Sequence, residues 1–338
     1  MATITIKDVA KLANVAPSTV SRVIANNNRI SEATKKRVRK AMEELGYHPN
    51  FNARSLANKS TKAIGLVMPS SASKTFQNPF FPEVIRGISS YARIKDYTLY
   101  MTTGETEEEI LNDCIKMVQG KRVDGLILLY SRNNDPIVEY LVQTKFPFVL
   151  IGKPFKYADE ITYIDNDNYK AARELTEYLI GKSHKKIAFI GGNLNLLVTQ
   201  DRLNGYKDAM KLATIPIHDE YIKHMEFDRE GGQLAVSDLM SLPEKPTAIF
   251  VTDDMMALGV LSVLQERNVQ VPDHVSVVSF NNIIVSELTS PPLTTVDVNI
   301  FQLGIEACKA VVECTENEQY VTKSIIIPTK IIERQSSK

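Results

Sequence analysis

The chain has 338 residues, 43% of them hydrophobic and 24% charged, which excludes wholesale disorder and leaves room for two or three domains. Three cysteines (Cys114, Cys308 and Cys314) are too few and too scattered for a disulfide framework or a Cys-rich zinc site. No apolar run approaches the roughly 20 residues of a membrane helix, and the first residues carry no apolar signal core, so a cytoplasmic location is expected. Forty Lys and Arg balance forty Asp and Glu, but not locally: residues 1–62 hold 12 basic and 4 acidic side chains, residues 63–338 hold 28 and 36. Such a division reads as a basic binding module on an acidic body.

Three short helices fit the basic module. Thr5, with Asp8, can cap the first, whose apolar residues Ile6, Val9, Ala10 and Ala13 fall at helical spacing. Asn14 tolerates the left-handed conformation of a tight turn. Pro17 suits the first position of a second helix, with Val20, Val23 and Ile24 inward and Ser18, Thr19, Ser21 and Arg22 outward. Ser31 caps a third helix, Glu32 to Leu45, with Val38, Met42 and Leu45 inward and Gly46 as its stop. Two short helices joined by a tight turn, the second carrying small hydroxyls and an Arg, describe a helix-turn-helix. Arg22 could donate two bonds to a guanine edge. A small helical bundle with a solvated basic face fits the same pattern. Residues 50–61 are polar and short, either a linker or a helix too short to be stable alone.

In the acidic body apolar runs alternate with helical patterns. Strands are expected at Ala63 to Met68, Tyr97 to Met101, Asp124 to Leu129, Phe148 to Gly152, Ile161 to Ile164, Lys186 to Ile190, near Phe227, at Ala248 to Val251 and at Val275 to Phe280. Helices are expected at Pro82 to Ile94, Glu107 to Gln119, Ile137 to Gln143, Asp201 to Lys211, Glu230 to Met240 and Met255 to Asn268. Continuous apolar strands between helices mean parallel sheets covered on both faces, and two such series mean two doubly wound α/β subdomains. Ligands of such sheets bind beyond the carboxyl ends of the strands. There is no G-x-G-x-x-G, P-loop, G-x-S-x-G or H-E-x-x-H motif, and the five histidines are scattered. No enzyme, cofactor or metal is expected.

The stretches Ile6-Lys7-Asp8-Val9-Ala10, Val15-Ala16-Pro17-Ser18-Thr19-Val20-Ser21-Arg22-Val23-Ile24 and Leu45-Gly46-Tyr47-His48-Pro49-Asn50 closely resemble the headpiece of LacI-family bacterial transcription regulators. The body resembles the family's core of periplasmic-binding-protein type, most specifically at Lys121-Arg122-Val123-Asp124-Gly125, Asp201-Arg202-Leu203-Asn204-Gly205-Tyr206 and Pro291-Pro292-Leu293-Thr294-Thr295-Val296. The resemblance implies a headpiece at 1–49, a hinge helix at 50–61 and an effector-binding, dimerising core at 62–338. That core is divided into 62–164 plus a crossover at 283–299, and 165–282 plus 318–335. It implies that Pro17, Ser18 and Arg22 read bases and that Thr19 and Ser21 anchor phosphates, with Thr5 and Asn50 in the same interface. Leu56, flanked by Ala53 and Ala57, matches the residue that wedges into the minor groove, which requires a homodimer on a palindromic operator. Ala16 departs from the hydroxyl cap common in the family.

In the core, Arg202 matches the family's ligand-clamping Arg. Asp253 matches a position that bonds sugar hydroxyls, or else caps the following helix. Asn281 stands where the family usually has Asp, which favours a neutral ligand. Phe80 and Phe227 match positions that stack on the effector, or else belong to the core. Ser131 and Lys153 are further strand-end candidates, while helix capping accounts for Asn166. The whole chain is similar to maltose-operon repressors of Gram-positive bacteria. That implies a cytoplasmic, nucleoid-associated repressor of a sugar-utilisation operon, released by a small sugar such as maltose or a malto-oligosaccharide. Two alternatives stand beside it. One is a catabolite-control regulator of the same family that uses a phosphorylated carrier protein as corepressor; Lys309 keeps the basic residue of that docking site, but Gln302 replaces the acidic one. The other is a sugar-binding protein without operator specificity.

Overall fold

In the computed structural model, which describes residues 4–24, 27–47, 60–70, 72–317 and 319–338, the chain divides into two units at Lys62. The first contains α1 (Ile6–Leu12), α2 (Pro17–Ile24) and α3 (Glu32–Leu45). Asp8 accepts from both the backbone N–H (2.8 Å) and the hydroxyl (2.7 Å) of Thr5 and so fixes the start of α1. Asn14 takes a left-handed φ of 50° between α1 and α2. Ser31 accepts the Thr34 N–H at the start of α3, and Gly46 ends that helix at φ 60°. Val9, Ala10, Ala13, Val20, Val23, Val38 and Ala41 form the core, while Ile24, Met42 and Leu45 pack at its margin, half-buried. The hinge residues Asn50, Ala53, Leu56 and Ala57 lie outside the described residues.

The second unit runs, in chain order, β1 (Ala63–Val67), α4 (Ala72–Thr75), α5 (Phe80–Ile94), β2 (Thr98–Met101), α6 (Glu107–Gln119), β3 (Gly125–Leu128), α7 (Pro136–Thr144), β4 (Phe148–Ile151) and β5 (Thr162–Asn166). It continues with α8 (Asn168–Gly181), β6 (Ile187–Gly191), α9 (Leu197–Leu212), β7 (Ile222–His224), α10 (Arg229–Leu239), β8 (Ala248–Val251), α11 (Asp254–Glu266) and β9 (Ser276–Asn281). Last come α12 (Ile284–Leu288), β10 (Thr294–Asp297), α13 (Ile300–Glu316), β11 (Ser324–Ile327) and β12 (Lys330–Ile332).

These strands make two sheets, in the orders β11-β5-β4-β3-β1-β2 and β12-β10-β9-β8-β6-β7. All pairs are parallel except β10 with β12. The central strands β1, β3, β4, β6, β8 and β9 are buried along their whole length, as helices on both faces require. Helix α5 packs on α13, α8 on α9, and α10 on α11. The α5–α13 contact is backbone to backbone: a Cβ on Gly304 would lie 2.1 Å from the Val84 carbonyl oxygen, and one on Gly87 would lie 2.2 Å from that of Phe301.

The chain crosses between the sheets three times, after β5, after β10 and after β11. This corrects the expected division of the core. Residues 294–297 pair with β9 in the second sheet rather than joining the first, and residues 324–327 pair with β5 in the first rather than the second. An apolar strand records that it is buried, not which sheet edge receives it. Asn166 is also corrected. Asp167, not Asn166, caps α8. The buried amide of Asn166 instead donates to the carbonyls of Val298 and Ile327, both at 3.0 Å, and so ties the three crossovers together. Helix α8 itself was not expected, α9 begins four residues before Asp201, and β7 ends at His224, short of Phe227.

Candidate DNA-reading face and effector cleft

Burial of Val20 and Val23 turns one face of α2 inward, so periodicity dictates what is left outside. Pro17, Ser18, Ser21 and Arg22 are exposed and Thr19 is half-buried. Arg22 has no ion pair among the described residues, which leaves its planar fork of donors available. The side chain of Ala16 offers no oxygen at the start of α2; its carbonyl accepts the N–H of Thr19 (2.8 Å) and of Val20 (3.3 Å). Both donors of Thr5 are already committed to Asp8, so in this conformation Thr5 serves the start of α1.

In the second unit the carboxyl ends of the two sheets face each other across a cleft. Arg202, on α9, is 5% exposed, and its guanidinium lies 4.2 Å from the centre of the Phe280 ring. Its Nε donates to Asn168 at 3.0 Å and its Nη1 to the Thr252 carbonyl at 2.6 Å. Nη2 has no partner among the described residues. Burial pulls this guanidinium down to about 10, against the pull of Asp253 and Asp165.

Asp253 both caps α11 and lies in the cleft. One oxygen accepts from the N–H groups of Met255 (2.8 Å) and Met256 (3.3 Å). The other accepts from the amides of Asn281 (2.8 Å) and Asn78 (3.0 Å). Asn281 reaches it from the end of β9, where the backbone has turned to φ 105°. Asn78 reaches it from the other lip, and its carbonyl oxygen accepts the Phe80 N–H at 3.0 Å at the start of α5. Burial raises the Asp253 carboxyl even so. Asp165, at the end of β5, accepts from Asn168 at 3.0 Å and is pushed up to about 7 by burial, with the backbone bond at Asn166 and the charge of Lys153 opposing.

Lys153 closes the other side of the cleft through an ion pair with Asp201 at 3.1 Å. Ser131 spends its hydroxyl on the Lys153 carbonyl, and the backbone of 131–133 meets that of 195–197 across the cleft. Phe80 and Phe227 are half-buried; the Phe227 ring covers Gly192, where a Cβ would lie 2.3 Å from it, and Phe80 meets Phe81 edge-on at 5.2 Å. Two hydroxyls near Arg202, those of Thr199 and Thr252, are buried without a partner among the described residues. The structure therefore gathers Arg202, Asp253 and Asn281 at one point, with Lys153 and Ser131 at the cleft's edge. Asn78 and Asn168 were missed by the sequence reading, although each lies one or two residues before a helix or at its start, where Asn usually serves the backbone. Among the described residues no cluster of three or more His, Cys, Asp or Glu could hold a metal, and no helix is long and apolar enough to cross a membrane.

Comparison with known proteins agrees with both halves of this picture. The family model of bacterial regulatory proteins, lacI family, matches residues 5–50, and that of periplasmic binding proteins and the sugar binding domain of the LacI family matches residues 61–335. The HTH-type transcriptional regulator MalR of Streptococcus pneumoniae serotype 4 is 43% identical over 341 residues, covering 98% of this chain and 99% of that protein. Among solved structures, a LacI transcriptional regulator of Bacillus cereus subsp. cytotoxis NVH 391-98 matches with a TM-score of 0.81 at 62% identity, over 82% of this chain and 98% of that one. One described as a maltose operon transcriptional repressor, malR, of Staphylococcus aureus matches with a TM-score of 0.75 at 32% identity, over the same 82% and 98%.

Proposed function

Because the chain belongs to the LacI family of bacterial regulators, and is thus a DNA-binding transcriptional repressor rather than an enzyme, we propose that it governs a sugar-utilisation operon and releases its operator when maltose or a malto-oligosaccharide enters the cleft. The observation that carries this reading is the constellation of Arg202, Asp253, Asn281 and Asn78. Vicinal hydroxyls of a neutral sugar need paired donors and acceptors held rigidly in a water-poor site. Arg202 supplies the unused Nη2, Asp253 supplies acceptors, and the two amides supply both. Asn281 in place of an acid puts an amide rather than a second carboxylate against Asp253 at the end of β9, which suits a neutral ligand. The S. aureus relative, named for a maltose operon, supports the choice of sugar.

On the operator, a homodimer sets two α2 helices into successive major grooves, Ser18 and Arg22 against bases and Thr19 and Ser21 against phosphates. Leu56 enters the minor groove at the centre of the palindrome. Sugar binding favours one cleft geometry, and its leverage on the hinges equals its difference in affinity for the two geometries. The test is operator release, measured by fluorescence anisotropy, against maltose, sucrose, ribose and purines. Release by maltose alone, together with a 10- to 100-fold affinity loss on Arg22→Ala (about 1–3 kcal/mol for one bidentate base contact), is the expected result. Release by a purine, or no effect of Arg22→Ala, refutes the respective half.

The catabolite-control alternative is disfavoured by one contact. Lys309 donates to Glu306 at 2.6 Å, and Gln302 donates to the same carboxylate at 2.7 Å, so the base is already neutralised within α13. Tighter operator binding on addition of a phosphorylated carrier protein would reinstate it.

A further inference from the structure

Backbone as well as side chains joins the two lips of the cleft. Residues 131–133, between β3 and α7, belong to the lobe of the first sheet; residues 193–196, between β6 and α9, belong to the lobe of the second. Arg132 and Leu196 stand opposite each other as a single antiparallel pair. The Asn133 N–H donates to the Asn195 carbonyl at 3.0 Å, and the Leu197 N–H donates to the Ser131 carbonyl at 3.2 Å. Each half is anchored in its own lobe. Arg132 is buried, with its Nε on Asp135 at 3.0 Å, its Nη1 on Glu107 and its guanidinium 5.2 Å from the centre of the Tyr130 ring. Opposite it, the Asn193 side chain accepts the Asn195 N–H at 2.8 Å, and Gln200 donates to the Leu194 carbonyl at 2.7 Å.

None of these anchors crosses the cleft, so the pairing can separate and leave both halves intact. It is also finely balanced. The side-chain oxygen of Asn133 is buried with no partner among the described residues, a cost borne by the closed pairing and relieved by water on opening. Two backbone bonds gain only modestly over their hydration, so the orphaned oxygen offsets much of what they contribute. Residues 193–195 are exposed, which puts water beside the pair. Ser131 couples the pairing to the ion pair next to it: its hydroxyl bonds the Lys153 carbonyl, and the Lys153 ammonium reaches Asp201 at 3.1 Å.

We propose that the pairing of 131–133 with 195–197 is a releasable latch, which holds the lobes closed, opens as a unit, and admits or frees the effector only when open. It rests on the sugar-effector reading above only for the choice of maltose as the probe.

Leu197→Pro removes one of the two bonds and spares α9. Leu197 is the first residue of that helix, where proline fits, and Leu196 before it is already extended at φ −88° and ψ 128°. Leu197→Ala is the control, since it keeps the N–H. Asn133→Leu, close to Asn in shape, removes the orphaned oxygen. Hydrogen–deuterium exchange of the full-length protein, read on the peptides that carry Asn133 and Leu197, tests the latch with no ligand present. Stopped-flow tyrosine fluorescence with maltose tests the gating. The Asn133 N–H should exchange about fivefold faster in Leu197→Pro than in Leu197→Ala, the effect of one lost bond, and the Leu197 N–H about fivefold slower in Asn133→Leu than in wild type. Maltose association should rise and fall by the same factors. Equal exchange at Asn133 in the two Leu197 variants overturns the latch. Altered exchange with unchanged maltose association overturns the gating. Absence of maltose binding overturns the sugar reading, while the exchange rates by themselves decide the latch.

Discussion

Arg202 shows how one side chain can be both held and available. Two of its nitrogens are fixed by Asn168 and the Thr252 carbonyl, its face by Phe280, and Nη2 is left over. Replacing it with Ala removes a charge-assisted donor worth about 1.5–3 kcal/mol. Sugar affinity should fall 10- to 100-fold, with operator affinity within about twofold of wild type; an unchanged sugar Kd refutes the placement. Its neighbour Asp165 predicts a pH dependence. Its folded value of about 7 stands above the ordinary value of 3.8. Between these values the folded chain keeps a proton that the unfolded chain has released, so the contribution is complete below the unfolded value and is lost as pH rises through 7. Asp165→Asn should abolish that loss. Urea unfolding from pH 5 to 8 should show wild type falling relative to the variant, by at most about 3 kcal/mol over that range; parallel curves refute it. Asp253 was legible because it sits just after β8, where chemistry collects, whereas Arg202 lies inside α9 and only the family resemblance singled it out. Asn78, Asn168 and the true role of Asn166 were not, because an Asn beside a helix is explained locally until the topology shows what lies opposite.

At the scale of elements, what was legible follows from burial. Continuous apolar runs announced β1, β3, β4, β6, β8 and β9, while the caps Thr5 and Ser31 announced α1 and α3 and Pro17 at the first position announced α2. Helix α8 carries Ala171, Ala172, Leu175 and Leu179 at helical spacing, so its residues did not hide it. The crossovers are different, since a partner edge is a property of two strands and neither states it alone. The glycines of α5 and α13 mark another such pairwise property. Gly304→Ala puts a methyl where the Val84 carbonyl lies, and the helices must separate. A destabilisation of about 1–3 kcal/mol is expected for such overpacking, measured by urea unfolding. An unchanged midpoint would mean that α13 can shift at no cost.

At the scale of the whole molecule, the charge division at Lys62 separates the part that must approach phosphates from the part that must not. Under the proposed function, the state of the cleft is what links them. In this structure its lips are joined by a buried bond, Asn78 to Asp253, by the more exposed Lys153–Asp201 pair and by the backbone bonds between 131–133 and 195–197. The exposed pair is worth no more than about 1 kcal/mol. The buried side-chain bond, to a charged acceptor, is worth about 1.5–3 kcal/mol, so of the two side-chain links it contributes more to closure. Asp253 already holds four donors, so a sugar hydroxyl that bonds it must share or replace the Asn78 amide. Asn78→Ala therefore changes the balance between cleft geometries without touching the operator. Linkage then constrains the outcome: the factor by which sugar weakens operator binding must equal the factor by which operator weakens sugar binding, in wild type and in the variant alike. If closure is the element that both ligands bias, Asn78→Ala should shift that common factor several-fold while the headpiece's affinity for a half-site stays constant. A variant whose sugar affinity changes but whose coupling factor does not would show that Asn78 only touches the sugar, and that another contact joins the lips.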